Sequence, residues 1–190
     1  MDPARILDFW FGAPGDPDHG RARDAWFRKD DAFDARIRDT FGDAIVAGVR
    51  GELQAWLDAP ASALAYVVLL DQFTRNAFRG TPNAFSGDAC ALAAARQIVA
   101  SGWDAGYAPV QRWFCYLPFE HSESLADQRE SLRLFATLRG DPVAGGAYEW
   151  AVKHHDVIVR FGRFPHRNEI LGRASGPDEL AFLALPGSRF

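Results

Sequence analysis

The sequence predicts an all-α protein of about eight helices, packed as stacked antiparallel hairpins in a single domain that spans residues 1–190. Three observations support this prediction. Helix start and stop signals recur along the chain, strand signals are nearly absent, and short loops connect the helical segments without an interdomain linker. A chain of 190 residues is also about the length of one domain with a single sizeable core.

The first half of the chain contains four predicted helical regions. They cover residues 4–11, 22–50 with a break at 29–31, 60–80 and 88–102. The first follows Asp2-Pro3, an N-cap residue and a proline at the first helical position, and it stops at Gly12. The third opens at Pro60 and is apolar nearly all round in "ALAYVVLLDQF", which is typical of a central helix. The fourth is rich in alanine and stops at Gly102.

The second half continues the helical pattern. Its predicted helices cover residues 110–117, 118–138 and 147–161, a short helix from 165, and a last short helix after 175. Pro118 predicts a kink or a fresh helix start. Gly162 fits the end of the long helix, and Pro165 fits the first turn of the next one. The spacing Ser175-x-x-Asp178 resembles a capping box for the last helix.

Composition excludes several classes of protein. The chain is 48% apolar and 13% aromatic, with a net charge of −4, which is an ordinary globular profile and too acidic to favour nucleic acid. The longest apolar run, residues 63–70, is too short to span a membrane, and the N-terminus lacks signal-peptide features. Cys90 and Cys115 lie in apolar helical patterns and have no CxxC partner, so we expect buried thiols in a cytoplasmic protein.

The third helix carries polar residues where an apolar helix should be buried. Asp71 and Arg75 are four residues apart on one line and can pair. Gln72, Asn76 and Arg79 form a neighbouring polar line. Because buried polar groups need partners, these side chains either fix the helix against its neighbours or face a ligand.

A second polar block, "PFEHSESLADQ", contains an acidic edge formed by Glu120, Glu123 and Asp127, next to His121 and Gln128 on the core line. A histidine beside carboxylates can act as a general base, as a metal ligand or as a hydrogen-bonded core residue. Metal binding would require a second histidine from another helix, such as His154 or His166. We therefore predict no metal site. Because His154 and His155 are adjacent on a helix, we expect one of them to point inward, and we interpret the inward one as a core residue.

The segment "FGRFPHRNEILGR" combines aromatic and cationic residues. If Pro165 begins a helix, the amides of His166, Arg167 and Asn168 lie in its first turn, near the positive end of the helix dipole. Together with Arg163, they would suit a carboxylate or phosphate. The alternative is neutralisation by the acidic edge, although Arg160, Arg163, Arg167 and Arg173 outnumber its three carboxylates.

Three blocks, "LLDQFTRNAFRG", "RWFCYLPFEHSESLADQ" and "RFGRFPHRNEILGR", resemble the signature blocks of a bacterial family known as domain of unknown function 924. The resemblance covers nearly the whole chain and implies a fold similar to tetratricopeptide-like helical stacks, but no established activity. It raises the expectation of a shared site. The candidate residues are Asp71, Gln72, Arg75, Asn76, Arg79, Glu120, His121, Glu123, Gln128, His154, Arg163, His166, Arg167 and Asn168.

We predict that the protein binds an anionic small molecule or a peptide in a groove lined by arginine, histidine and asparagine. Two alternatives stay open: a hydrolase-type or metal-dependent enzyme that uses Glu120 and His121, and a structural polar network with an interaction surface elsewhere. The chain has no nucleotide-binding loop and no GxSxG motif, so we predict no cofactor and assign no catalytic residue. We expect neither nucleic acid nor membrane as a partner, and the sequence does not fix the oligomeric state.

Overall fold

The structure, a computed structural model, describes residues 1–188 and confirms the all-α prediction: within that range every regular element is helical. The α-helices are α1 (Ala4–Phe11), α2 (Asp31–Val49), α3 (Pro60–Val67), α4 (Thr74–Ala77), α5 (Asp88–Ala100), α6 (Pro109–Glu120), α7 (Leu125–Ala136), α8 (Ala147–Phe161) and α9 (Pro177–Leu183). Short 3₁₀ turns connect several of them. A π-helical segment, Val68–Phe73, joins α3 to α4, so residues 60–77 form one continuous helix and the total is about eight.

Most predicted boundaries follow from local chemistry. The Asp2 carboxylate accepts a hydrogen bond from the Ala4 amide at 2.9 Å at the start of α1. Asp30 caps α2 by accepting bonds from the Ala32 and Phe33 amides at 2.9 and 3.0 Å, so α2 begins at the predicted break. The helix predicted before that break is wrong, because residues 22–30 form only a 3₁₀ turn, Asp24–Trp26. Gly162 ends α8 with a φ of 70°, a left-handed conformation that favours glycine.

The boundary predicted at Pro118 is wrong. Pro118 does not start a new helix: it lies inside α6, which continues to Glu120, and α7 begins only at Leu125. The missing amide of Pro118 costs α6 one hydrogen bond, whereas its buried neighbours Phe114 and Phe119 hold the last turn in the core. The result places Glu120 and the residue that follows it at a helix end.

The predicted capping box of the last helix is replaced by a single capping bond, one residue further along the chain. Glu179, not Asp178, makes this bond: its carboxylate accepts a hydrogen bond from the Gly176 amide at 2.7 Å. The N-cap of α9 is therefore Gly176, not Ser175. This shift brings a buried carboxylate to the start of α9, where an arginine from another segment can reach it.

The core sits around α3 and the π-helical segment, where Leu64, Val67 and Leu69 are fully buried. An aromatic cluster from α1, the π-helical segment and α6 surrounds this centre: Trp10 lies 5.4 Å from Phe73 and 5.4 Å from Phe114, measured between ring centroids. Edge-to-face and tilted ring pairs of this kind add to the stability gained from burial. The core therefore fixes the π-helical segment on several sides.

The remaining helices pack in sequence order. α6 contacts α7 and α7 contacts α8, an arrangement of consecutive neighbours that is compatible with a tetratricopeptide-like stack. A second, smaller apolar cluster of Val157, Ile158 and Phe164 attaches the segment after α8, with Phe182 of α9 packed against it. No helix among residues 1–188 is long and apolar enough to cross a membrane.

Candidate functional site

Polar side chains from the first two sequence blocks and from α8 meet in one buried cluster. The π-helical segment contributes Asp71, the C-terminal end of α6 contributes Glu120 and the residue after it, His121, and α8 contributes His154. His121 Nδ1 lies 2.7 Å from Asp71 Oδ1, and His154 Nδ1 lies 3.0 Å from Glu120 Oε1. The two imidazole rings are 6.2 Å apart, which places both pairs in one enclosure that we call the histidine cluster.

The Asp71–His121 pair is almost completely enclosed. Asp71 is 0% exposed, and the Gln72 side-chain amide also donates to it, at 2.6 Å. Burial raises the pKa of Asp71, but His121, Arg75 and Gln72 together bring it below its usual value, so the carboxylate is ionised. Burial lowers the pKa of His121 against the opposing effect of Asp71. A neutral His121 that donates from Nδ1 to Asp71 presents Nε2 as an acceptor.

The Glu120–His154 pair has the opposite electrostatics. Glu120 is 3% exposed, and burial together with the nearby Asp71 carboxylate raises its pKa well above the usual value. Burial and His121 lower the pKa of His154 to about 3, so its ring is neutral. His154 Nδ1 also lies 2.9 Å from the Trp150 carbonyl oxygen, which accepts only, so Nδ1 carries the proton. Glu120 Oε2 is buried and has no hydrogen-bond partner among residues 1–188.

Two arginines, Arg75 and Arg167, flank the histidine cluster and share the carboxylate of Asp88. We call Arg75 and Arg167 the arginine pair. Arg75 Nη2 lies 3.1 Å from both carboxylate oxygens of Asp88, and Arg167 Nη1 lies 3.5 Å from Asp88 Oδ2. Both guanidinium groups stack on Phe85, at 5.2 and 4.9 Å from the ring centroid. Arg75 also approaches Asp71, at 3.8 Å, which confirms the predicted pair four residues apart.

Both members of the arginine pair keep an unused donor. Arg75 Nε and Arg167 Nε are buried, and the described part of the chain offers neither of them an acceptor. Arg167 is only 6% exposed; burial and the charge of Arg75 lower its pKa to about 10. Because Arg167 is shielded from water, the positive charges of Arg75 and Arg167 repel each other. An additional negative group would relieve that repulsion.

A cleft of about 500 Å³ lies between the segment after α8 and α9. Its lining consists of Pro165, His166, Glu169, Arg173, Ser175, Leu180, Leu183 and Ala184. His166 connects it to the interior: its ring lies 5.5 Å from that of Phe164, on which Arg167 stacks at 4.5 Å. Burial, followed by the charges of Arg167 and Arg75, lowers the pKa of His166 to about 3.

Other predicted residues have structural partners away from the histidine cluster. Asn76 and Arg79 both bind Asp34 of α2, at 2.7 and 2.6 Å. Arg163 binds Glu179 with two bonds of 2.7 Å, so it ties the segment after α8 to α9.

Two further predicted residues support the site from outside. The Gln128 side-chain amide donates to the carbonyl oxygens of Glu120 and Ser122, at 2.6 and 2.7 Å, and so holds the turn that carries His121. Asn168 donates to Ser175 Oγ at 3.0 Å, across the wall of the cleft.

The predicted anion position at the start of the 165–168 segment is filled by the chain itself. The segment forms a single 3₁₀ turn, Pro165–Arg167, in which the amides of Arg167 and Asn168 already donate to backbone carbonyl oxygens. Glu123 accepts the Phe164 amide at 2.8 Å, and its two oxygens bind Arg173 at 2.8 and 2.9 Å.

The predicted excess of arginines over carboxylates is also corrected, because sequence reasoning missed three carboxylates. Asp34, Asp88 and Glu179 pair with Arg79, the arginine pair and Arg163. The signals were present but ambiguous: Asp88 and Glu179 lie in first helical turns, where acidic residues are common for helix-dipole reasons alone. Among residues 1–188, no group of three His, Cys, Asp or Glu side chains has the geometry to hold a metal ion.

The Arg163–Glu179 contact makes a prediction for acid stability. The hydrogen bonds from Arg163 and from the Gly176 amide lower the pKa of Glu179 from 4.5 to about 2. Its contribution to stability is therefore complete above pH 4.5 and is lost as the pH falls from there towards 2. We expect Glu179→Gln to flatten the dependence of unfolding free energy on pH in this window, measured by urea denaturation. The exposed Glu149→Gln is the control; an unchanged slope for Glu179→Gln would contradict the assignment.

The fold and this cluster define an all-helical protein with a buried polar cluster of histidines, carboxylates and arginines. Residues 6–187 match the family described as bacterial protein of unknown function, DUF924. The chain belongs to this family, which confirms the resemblance drawn from the three sequence blocks. It is also similar to a solved structure of a protein of unknown function from Agrobacterium tumefaciens, with 41% identity, 96% of each chain covered and a TM-score of 0.84. A search of curated proteins gave no match.

Proposed function

We propose that this protein binds a small organic anion, with the anionic group held by the arginine pair, Arg75 and Arg167. The observation that carries the proposal is the pair of buried Nε donors that have no acceptor among residues 1–188. Native proteins satisfy nearly all buried polar groups, so two adjacent unused donors of the same kind indicate an acceptor from outside the chain. A carboxylate or phosphate oxygen is such an acceptor.

The arginine pair is organised in advance of binding. Asp88 holds the terminal nitrogens of both guanidinium groups, and Phe85 supports both planes, so neither side chain has to give up much freedom when a ligand arrives. The low pKa of Arg167, caused by burial and by Arg75, supports a local preference for added negative charge. These features favour an anion over a neutral ligand.

A cleft lined by His166, the residue before Arg167 in the chain, supports a ligand larger than the anionic group alone. His166 and Arg173 form its polar side, whereas Leu180, Leu183 and Ala184 form an apolar side. Such a lining suits an organic acid or the C-terminal residue of a peptide, whose apolar part would lie against α9. Glu169 is exposed, so water screens its charge.

The test is binding of small carboxylates and inorganic phosphate to the purified protein, measured by isothermal calorimetry and by thermal unfolding at constant ionic strength. A ligand at 100 times its Kd should stabilise the folded state by about 2.7 kcal/mol. Arg167→Lys keeps one positive charge for Asp88 but removes the planar second donor, so we expect at least about tenfold weaker binding in a folded protein. The proposal fails if no carboxylate or phosphate binds.

Arg133→Lys is the matched control for this change. Arg133 pairs with Glu130 on the surface of α7, outside the site, at 2.6 Å. The same chemical substitution there should leave ligand affinity unchanged. Equal affinities for the two variants would remove the arginine pair from the binding site.

The Asp71–His121 contact favours a second candidate function, an enzyme that uses acid–base chemistry. A carboxylate that orients a histidine through Nδ1 and leaves Nε2 available is the arrangement of a general base. The test is to incubate each carboxylate that binds with the protein and to follow its chemical structure by NMR. Turnover that is lost in His121→Gln would support this function, and unchanged spectra with the wild-type protein would argue against it.

The proposed setting is the cytoplasm, with a small molecule or a peptide as the partner. Cys90 and Cys115 are both free thiols, which supports a reducing compartment. The net charge of −4 favours a small anion bound by local arginines over nucleic acid, which needs a broad basic surface.

A further inference from the structure

The histidine cluster contains a hydrogen-bond acceptor, His121 Nε2, which is separate from the donors of the arginine pair. His121 Nδ1 is 2.7 Å from the ionised Asp71, so the shared proton lies on the nitrogen and Nε2 is left with a lone pair. The His121 side chain is 15% exposed, compared with 1% for Asp71, so the imidazole is the more accessible member of the pair. A ligand that reaches it must supply a donor.

The same cluster contains a second buried carboxyl group, that of Glu120. Glu120 is the residue before His121, and its Oε1 lies 3.0 Å from the protonated Nδ1 of His154. Its other oxygen, Oε2, is buried without a hydrogen-bond partner in the described chain. Burial and the Asp71 carboxylate both favour the neutral form, and we place the proton of the neutral carboxyl group on Oε2, the oxygen that has no partner in the described chain.

We propose that the anion bound by this protein is a hydroxycarboxylate: Arg75 and Arg167 bind its carboxylate, and its hydroxyl group lies between His121 and Glu120. This inference rests on the proposed binding of an organic anion and names its chemical class. The hydroxyl group donates to His121 Nε2 and accepts from Glu120 Oε2. Contacts connect the two halves of the site, since Asp71 touches His121 at 2.7 Å and Arg75 at 3.8 Å.

Other polar groups fit this position less well. A ketone oxygen accepts from Glu120 but gives His121 no donor, and an ammonium group donates to His121 but gives Glu120 no acceptor. A second carboxylate would place another negative charge beside the buried Asp71. A hydroxyl group is both donor and acceptor, so it satisfies both residues without adding charge.

The test compares acids that differ only in the hydroxyl group. D-lactate, L-lactate and 3-hydroxypropionate are titrated into the protein by calorimetry at pH 7, alongside propionate at the same ionic strength. We expect at least one hydroxy acid to bind about tenfold more tightly than propionate, because a buried donor and acceptor reject a ligand that leaves them unsatisfied. Equal binding of all four acids would overturn this inference and leave the proposed function intact. Absence of binding by all four, and by phosphate, would overturn both.

Two variants of Glu120 make the assignment specific. Glu120→Met removes the donor without leaving a charge and should reduce the preference for the hydroxy acid to within about twofold of propionate. Glu120→Gln can still donate from its amide and should retain most of the preference. His154 keeps the Trp150 carbonyl oxygen as an acceptor in both variants, so each should fold. A preference that persists in Glu120→Met would show that Glu120 does not contact the hydroxyl group.

Discussion

Replacing Gly87 by alanine is expected to destabilise the protein by about 3 kcal/mol or more, because there is no room for a side chain between α5 and the π-helical segment. A Cβ atom at this position would lie 2.2 Å from the Leu70 carbonyl oxygen and 2.9 Å from its carbon. Both are backbone atoms of a fully buried residue, so they cannot move aside as a flexible side chain would. Thermal unfolding should detect a loss of at least about 6 °C in Tm for a chain of this length.

Gly42→Ala is the matched control for Gly87→Ala. Gly42 lies within α2, and a Cβ there would meet no atom within 4 Å. Alanine should therefore stabilise the protein by about 0.5–1 kcal/mol, since it restricts the unfolded chain and suits a helix interior. If Gly87→Ala were as stable as Gly42→Ala, the close approach of α5 to the π-helical segment would be refuted.

Asp71→Ala is expected to produce the second large effect, a loss of about 2–5 kcal/mol. The substitution removes the acceptor of two buried donors, His121 Nδ1 at 2.7 Å and the Gln72 amide at 2.6 Å. Stranding a buried donor costs about 1–3 kcal/mol, and here two are stranded at once. Urea denaturation of the variant and the wild-type protein measures the difference directly.

Asp39→Ala controls for the removal of a carboxylate in general. The Asp39 side chain is 75% exposed, and its contact with Arg38 is a surface ion pair, so we expect a change within about 0.5 kcal/mol. Asp71→Asn should fall between the two, because its amide oxygen can still accept one of the two bonds. A cost for Asp71→Ala similar to that of Asp39→Ala would mean that the Asp71–His121 contact does not support the fold.

Helix periodicity and end signals predicted helix boundaries well where a single residue determines the boundary. Asp30 caps α2, Pro60 opens α3 and Gly162 ends α8, and in each case the side chain or the conformation of one residue decides the outcome. The sequence failed at Pro118, where burial of the neighbouring side chains outweighs the local cost of proline. Local rules do not contain that tertiary contribution.

The candidate site was predicted less completely, because the sequence does not show which side chains pair with each other. Helical spacing predicted that Asp71 and Arg75 can meet, because both lie on one helix. It could not predict that Asp71 pairs with His121, 50 positions away, or that Arg75 pairs with Asp88. These pairings depend on which helices lie side by side. The local pattern of a single sequence does not contain that information. Partners from first helical turns were consequently missed.

The π-helical segment Val68–Phe73 has a geometric consequence for the residues that follow it. A π turn holds one residue more than an α turn, so it advances the rotational phase of everything downstream by one position, about 100°. As a result, the side chains before the segment and those after it point in different directions around the same helix axis. Removing a single residue between 68 and 73 would reset that phase and turn the Arg75 direction away from Asp88, although no contact residue had been altered. The spacing of this helix is thus as much a part of the site as the side chains themselves.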